Sequence, residues 1–315
     1  MRYQKLGNSG IDVSVIAHGT WAMGNDFFGE VDQGRAISAI HASVEHGVNL
    51  VDTARAYGED CAAEKVVGKA IQGMRDKVVL ATKAGVLRAY GGNYVKCSDP
   101  NVIRCELEES LRNLKTDYID LYQIHWPDHN TPLEVALETM LRFKEEGKIR
   151  AIGVSNFSVA ELRLAVDVAD IASVQPPLSL LNRQSFEDGV LGFCAENGLG
   201  VLTYGSLGGG ILSGKMGKIG IGGKELRASF YPYYEEPMWS KCQQLLKTLK
   251  EIADARNVSI AQVSINWVLC QKGVTCALLG ATRPQTAIEN TKAADWELTK
   301  EELDVINTAY GRIMG

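Results

Sequence analysis

No stretch of this chain holds the roughly 18–20 consecutive apolar residues that a bilayer-spanning helix needs, and no Cys-x-x-Cys pair occurs. The seven cysteines, Cys61, Cys97, Cys105, Cys194, Cys242, Cys270 and Cys276, are odd in number. They read as reduced thiols of a cytosol rather than as a disulfide framework or a zinc site. Five histidines suggest no ligand set, so no structural metal is expected. Positive charge is not in excess either. The net charge is −5, with lysine and arginine scattered along the chain, which excludes the basic stripe of a nucleic-acid binder. The opening residues, Met1–Arg2–Tyr3–Gln4–Lys5, lack the apolar segment of a secretory signal. The expectation is a cytoplasmic, metal-free protein that engages neither membrane nor nucleic acid.

What is present is an ordinary globular composition, 45% apolar and 23% charged over 315 residues. A turn at Gly7–Asn8–Ser9–Gly10 between two short extended runs predicts a small N-terminal hairpin. Apolar strands then alternate with amphipathic helices. Strand-like runs fall near 15–19, 48–52, 78–83, 118–124, 150–154, 171–175, 199–204 and 276–280. Helical periodicity fills 33–46, 61–72, 101–114, 132–146, 158–168, 185–197, 241–256 and 284–293, with a further helix near 299–310. Glycines 47, 147, 198 and 273 close helices just before strands, where a left-handed residue is needed. Asp99–Pro100 and Thr131–Pro132 place a capping residue before a first-turn proline. Eight such units without a break in composition predict one α/β domain over 1–315, a (β/α)8 TIM barrel with an N-terminal β-hairpin and a long loop after strand 7. An open doubly wound sheet is the second choice, and no strand is followed by its Gly-x-Gly-x-x-Gly turn. The long loop, 205–240, is rich in glycine and aromatics, as a lid or ligand clamp would be.

Chemistry concentrates where strands end. Asp52 closes Val48–Asn49–Leu50–Val51, Lys83 closes Val78–Val79–Leu80–Ala81–Thr82, and His125 closes Tyr118–Ile119–Asp120–Leu121–Tyr122–Gln123–Ile124, while Tyr57 lies one short loop past Asp52. Parallel α/β folds assemble their chemistry at the carboxyl ends of strands. A phenol beside a lysine tied to a carboxylate makes a proton donor, and the cation is expected to lower the phenol's pKa from about 10. Taken singly, each has a plain structural use: Asp52 as a helix cap, Lys83–Asp52 as an ion pair, His125 as a satisfied core histidine. Together, at adjacent strand ends, they read as a site.

In order along the chain come Gly19–Thr20–Trp21, Asp52–Thr53–Ala54–Arg55–Ala56–Tyr57–Gly58, Ala81–Thr82–Lys83, Ile124–His125–Trp126–Pro127, Gly153–Val154–Ser155–Asn156–Phe157, Gln175, Tyr204 to Lys215, and Gly280 to Glu289–Asn290. This succession resembles the aldo-keto reductase family over nearly the whole chain. The resemblance implies a barrel that binds a nicotinamide dinucleotide across its strand ends and reduces an aldehyde or ketone reversibly to the alcohol. Tyr57 would then be the proton donor, Lys83 held by Asp52 would stabilise phenolate character, and His125 would orient the carbonyl. Cofactor contacts are implied at Gly19, Thr20, Trp21, Asp52, Ser155, Asn156, Gln175, Tyr204, Ser206, Leu207, Gly210, Lys215, Arg227, Gly280, Thr282, Arg283, Glu289 and Asn290.

The pattern departs from the family in places. Gly280–Ala281 stands where many members carry Lys-Ser, Thr286 where they place arginine or glutamine, and Leu178 where tyrosine is common. Arg283 and Arg227 remain for a 2′-phosphate, so NADP is favoured with NAD possible. Trp21, Tyr57, Tyr90, His125 and Trp126, with Asp128, His129 and residues from 231–239, are expected to line a small semi-polar pocket. A small or sugar-derived carbonyl compound suits it, with no obligatory protein partner. Two rivals stand beside this reading. One is a cofactor-binding regulatory subunit with little turnover, which would not need all four polar residues or lack a long N-terminal extension. The other is a Schiff-base aldolase or lyase, for which an ion-paired Lys83 is a poor nucleophile.

Overall fold

The computed structural model describes residues 1–25, 27–88, 93–218 and 227–315. The chain opens with an antiparallel pair, β1 (Tyr3–Lys5) and β2 (Asp12–Ser14), joined through a 3-10 turn at Gly7–Ser9. Then follow β3 (Ile16–Gly19), α1 (Gln33–Glu45), β4 (Leu50–Asp52), α2 (Ala62–Ala70) and β5 (Val79–Ala84). A second antiparallel pair, β6 (Val86–Arg88) and β7 (Tyr94–Lys96), leads to α3 (Pro100–Leu114), β8 (Ile119–Ile124), α4 (Leu133–Glu145), β9 (Ile149–Ser155) and α5 (Val159–Val168). The remainder runs β10 (Ile171–Gln175), α6 (Gln184–Glu187), α7 (Val190–Glu196), β11 (Gly200–Thr203), α8 (Arg227–Phe230), α9 (Met238–Arg256), α10 (Ile260–Leu269), β12 (Cys276–Gly280), α11 (Pro284–Thr291) and α12 (Lys300–Met314). Strands β3, β4, β5, β8, β9, β10, β11 and β12 are hydrogen-bonded in that order into a closed parallel barrel. This is the (β/α)8 TIM barrel expected.

The lumen is layered. Ala17, Leu50, Ala81, Leu121, Ala151, Ala172, Leu202, Cys276 and Leu278 form one buried apolar cluster with Leu6 and Val13, so the N-terminal hairpin plugs one end. Two residues further along, the same inward-facing rows turn polar: Leu50 gives way to Asp52, Ala81 to Lys83, Leu121 to Gln123. A period of two puts each pair on one face of its strand. Gly153 of β9 leaves room at this level, because a Cβ there would lie 2.8 Å from Ser173 Oγ and 2.9 Å from Gln123 Cγ. The outward rows pack under the helices in two larger cores.

Helix starts follow side-chain capping. Asp99 Oδ1 accepts from Asn101 and Val102 N–H, and Ser158 and Thr299 form capping boxes with Glu161 and Glu302. The Thr131–Pro132 start is displaced by one residue: α4 begins at Leu133, and the Thr131 hydroxyl donates instead to Asp128 Oδ2 at 2.7 Å. The expected helix over 185–197 is two, broken at Gly189 with φ +80°. The 205–240 segment holds a 3-10 helix at Gly208–Ser213, then α8, then a 3-10 turn at Pro232–Tyr234. No helix among the described residues is long and apolar enough to cross a membrane.

Candidate active site

Asp52, Tyr57, Lys83 and His125 meet at the carboxyl end of the barrel. Lys83 Nζ donates to Asp52 Oδ1 at 2.7 Å, to the Thr53 carbonyl at 2.8 Å and to the Tyr57 hydroxyl at 3.2 Å. The Tyr57 and His125 rings stand edge to face with centroids 5.7 Å apart. The loop carrying Tyr57 is fixed by close approach: a Cβ at Gly58, whose φ is +84°, would fall 2.2 Å from the Gly24 carbonyl oxygen. Only glycine fits there.

Beneath the phenol lies a buried polar layer. Asp52 Oδ2 accepts from Gln175 Nε2 at 2.9 Å and Gln123 Nε2 at 3.3 Å, and Gln175 also donates to Gln123 Oε1 at 3.3 Å. Both carboxylate oxygens are therefore satisfied, as a buried charge requires. Above it a rim of half-buried side chains keeps accessible surface: Trp21, Tyr57, His125, Asn156 and Tyr204. Tyr204 OH donates to Asn156 Oδ1 at 2.8 Å, Asn156 Nδ2 donates to the His125 carbonyl at 3.0 Å, and Ser155 Oγ donates to the Gln175 carbonyl at 2.8 Å.

Protonation states follow from burial. Tyr57 is half-buried, and burial, then the Asp52 charge, then the Tyr94 phenol push its hydroxyl well above the ordinary value. The sequence expectation was the reverse, a phenol lowered by its lysine. The lysine's pull is outweighed, because it is already neutralised by Asp52 and the phenolate would be desolvated. Burial also lowers Lys83, opposed by Asp52, and burial followed by the Lys83 charge holds His125 well below 6.5. At neutral pH the site thus presents a protonated phenol and an uncharged imidazole.

The other expected contacts are placed as follows. Thr20 is buried, its hydroxyl donating to the Asp52 carbonyl at 3.0 Å, and Gly19 pairs in register with Gly280. Trp21 packs tilted against Phe27 and edge-to-face against Phe28 and Phe230, and its ring centroid lies 6.2 Å from that of Tyr57. Ser206 is buried beside Thr203, while Leu207 and Gly210 sit in the glycine turn. Arg227 donates to the Gly209 carbonyl at 3.1 Å, and Lys215 clasps both oxygens of Glu289 at 3.0 and 2.9 Å. Thr282 and Arg283 stand at the start of α11, with Asn290 buried within it.

Gln175, grouped by sequence with the cofactor contacts, has its amide nitrogen committed to Asp52 and Gln123. Trp126 is 37% exposed, with Lys96 Nζ 4.5 Å above its ring. Asp128 staples loops, accepting from Ser98 and Asn130 N–H and from Thr131, and His129 points to solvent. Tyr90 lies outside the described residues. Sequence reasoning missed Gln123, whose signal was a glutamine in an apolar strand two residues before His125. Two flank clefts, about 390 Å³ beside Lys65, Lys69 and Arg112 and about 230 Å³ beside Asp128 and Phe157, are lined by none of the four central residues.

The rim fits an extended dinucleotide by its donor set: a glycine turn at 208–210 with φ of 56°, 67° and 102°, two side-chain-free strand ends at Gly19 and Gly280, and cations at Arg227, Lys215 and Arg283. The profile of the aldo/keto reductase family matches residues 15–310. The chain belongs to that family. Among curated relatives of this reductase, the aldo-keto reductase YhdN of Bacillus subtilis is 37% identical, covering 98% of this chain and 93% of that protein. An NADH-specific methylglyoxal reductase of Escherichia coli is 31% identical over 95% of each. Among solved structures, a glycerol dehydrogenase from Gluconobacter oxydans superposes with TM-score 0.88 at 34% identity, covering 96% of this chain and 93% of that one. A Klebsiella pneumoniae aldo/keto reductase in complex with NADP and acetate gives 0.78 at 29%, covering 98% and 96%. The reductase is accordingly an NAD(P)H-dependent oxidoreductase of carbonyl compounds.

Proposed function

We propose that this reductase converts a small, hydroxylated or sugar-derived aldehyde or ketone to its alcohol with NADPH, Tyr57 donating the proton. The reading rests on one observation above the rest: a protonated Tyr57 hydroxyl 3.2 Å from a Lys83 ammonium that is itself locked to Asp52. A nicotinamide dinucleotide held at this rim would supply the hydride for the carbonyl carbon. Tyr57 holds its proton for the carbonyl oxygen, where charge would grow, and its transfer there would complete the alcohol. The ammonium stabilises the phenolate left behind, so the phenol's high intrinsic pKa is offset only as the proton departs. His125, uncharged, orients the oxygen through a hydrogen bond without competing as an acid. Asn156 and Ser155 would hold the carboxamide and Tyr204 the ring, while Gln175 holds Asp52 from below.

Arg283 and Arg227 favour a 2′-phosphate, while Gly280–Ala281 and Thr286 leave room for NAD. The relatives named for NADH and for NADP bracket both choices. Small oxygenated compounds in the names of the methylglyoxal reductase and glycerol dehydrogenase support the substrate class. Residues 1–315 act as one barrel domain, in the cytoplasm and without an obligatory protein partner. The test is a carbonyl panel run with NADPH and NADH, following loss of reduced-nicotinamide absorbance, with Tyr57→Phe beside the parent. Tyr57→Phe lowers kcat by about two to three orders of magnitude, the scale of a general acid, with NADPH affinity nearly intact. A mutant of near-parental activity ends this mechanism. Tight cofactor binding without turnover of any carbonyl would favour the regulatory reading.

A further inference from the structure

Behind the proton-donating pair, on the outside of β5, lies a second buried carboxylate that the chemistry above does not use. Glu106 of α3 is 2% exposed. Its Oε2 accepts from the backbone N–H of Gly85 at 2.7 Å, two residues past Lys83. Among the described residues its Oε1 has no hydrogen-bond partner, and it faces Arg55 Nη1 at 3.6 Å. Arg55 belongs to the short loop between Asp52 and Tyr57, and its Nε donates to Glu109 Oε2 at 2.5 Å, one turn further along α3. One carboxylate therefore touches both chain segments whose separation sets the Tyr57–Lys83 contact. Burial pushes the Glu106 carboxyl up to about 7, opposed by the Gly85 N–H and Arg55, with Glu64 and Glu109 adding to the rise. A buried, poorly solvated carboxylate is an expensive anchor, and such groups gather at functional sites.

We infer that Glu106 and Arg55 are positioning residues of the reduction: their pairing holds the Tyr57 loop against the strand end that carries Lys83. Neither touches substrate or cofactor. Glu106 acts on the phenol through Arg55, and on the lysine through the Gly85 backbone. A slackened loop moves the phenolic oxygen relative to the ammonium and to the substrate oxygen, and small misplacements of a reacting group cost rate steeply.

This inference rests on the proposed role of Tyr57, and the test separates the two. Glu106→Gln keeps the acceptor for Gly85 and removes the charge facing Arg55. Arg55→Ala, at a partly exposed side chain, removes the guanidinium and carries the test where the buried variant fails to fold. kcat, KM for the carbonyl, NADPH affinity by fluorescence quenching and melting temperature are measured for each. The expected result is a fall in kcat of about ten- to a hundredfold, with KM and NADPH affinity within about twofold of the parent. Millimolar guanidinium ion restores part of the lost kcat in Arg55→Ala and nothing in the parent. Parental kcat in both variants overturns the inference, as does a loss that follows the melting temperature or resists guanidinium. A Tyr57→Phe enzyme of full activity instead removes the proton-donor reading itself.

Discussion

Replacing Asp52 by asparagine isolates what the buried carboxylate does. The Lys83 side chain is 0% exposed and that of Asp52 3%, with the two 2.7 Å apart. Asparagine keeps the shape but offers one acceptor where the carboxylate offers two. Lys83 and the amide donors of Gln175 and Gln123 then compete for it. Breaking a buried pair by removing one partner costs about 3–5 kcal/mol. An independent bound comes from the proton: shedding it at pH 7 from a lysine of ordinary pKa about 10.4 costs about 4–5 kcal/mol, so the penalty is capped at the same scale. With about 2.1 cal/mol/K of unfolding entropy per residue over 315 residues, each kcal/mol moves the melting temperature by about 1.5 °C, and Asp52→Asn lowers it by about 5–8 °C.

Calorimetry of the apo-enzyme between pH 7 and 10 reads this directly. Burial lowers Lys83 already in the parent, where Asp52 opposes the fall. Without that charge the variant's Lys83 is lowered further, so over a wider pH interval the unfolded chain binds more protons than the fold does. Stability of the variant therefore rises with pH relative to the parent, and the gap narrows toward pH 10. Asp52→Asn combined with Lys83→Met removes both charges and recovers at least half of the loss. A single variant melting within about 1 °C of the parent, or a gap indifferent to pH, refutes the account of a charge held only by its partner.

Much of the frame was legible because it is written in local signals. All eight barrel strands fall on the apolar runs expected for them, from 16–19 to 276–280, and glycines 47, 147, 198 and 273 all carry positive φ. What escaped lies where the surroundings overrule the local signal. Helix α10 is buried from Ala261 to Val268, so it has no polar stripe and its periodicity is silent. The β6–β7 pair is only three residues per strand, with β7 wholly exposed, so it has no apolar alternation to announce it. At the site, residue identities marked the reacting groups, but their ionisation depended on desolvation, which no spacing encodes. That is why the direction of the Tyr57 shift was misjudged while its proximity to Lys83 was not. Gln123, Gln175 and Glu106 show the same limit: an acceptor or donor gains its role from what the barrel's curvature brings opposite it.

Two further outcomes test the rim and the core. Arg283→Ala weakens NADP by about tenfold or more, the worth of a charge-assisted hydrogen bond, and leaves NAD nearly unchanged in fluorescence titrations; equal weakening places the phosphate elsewhere. His18 contributes to acid sensitivity. Its ring is buried, with Nδ1 2.7 Å from Ser43 Oγ, and burial lowers it from 6.5 to about 4. The unfolded chain then binds the proton that the fold refuses, so stability is full above pH 6.5 and is lost as pH falls toward 4. At pH 5 the loss attributable to this ring is about 2 kcal/mol. His18→Gln has no such proton to bind, and its urea midpoint falls less between pH 7.5 and pH 5 than the parent's. If both proteins weaken equally over that interval, the acid lability belongs to another group, and the imidazole is already charged in the folded state.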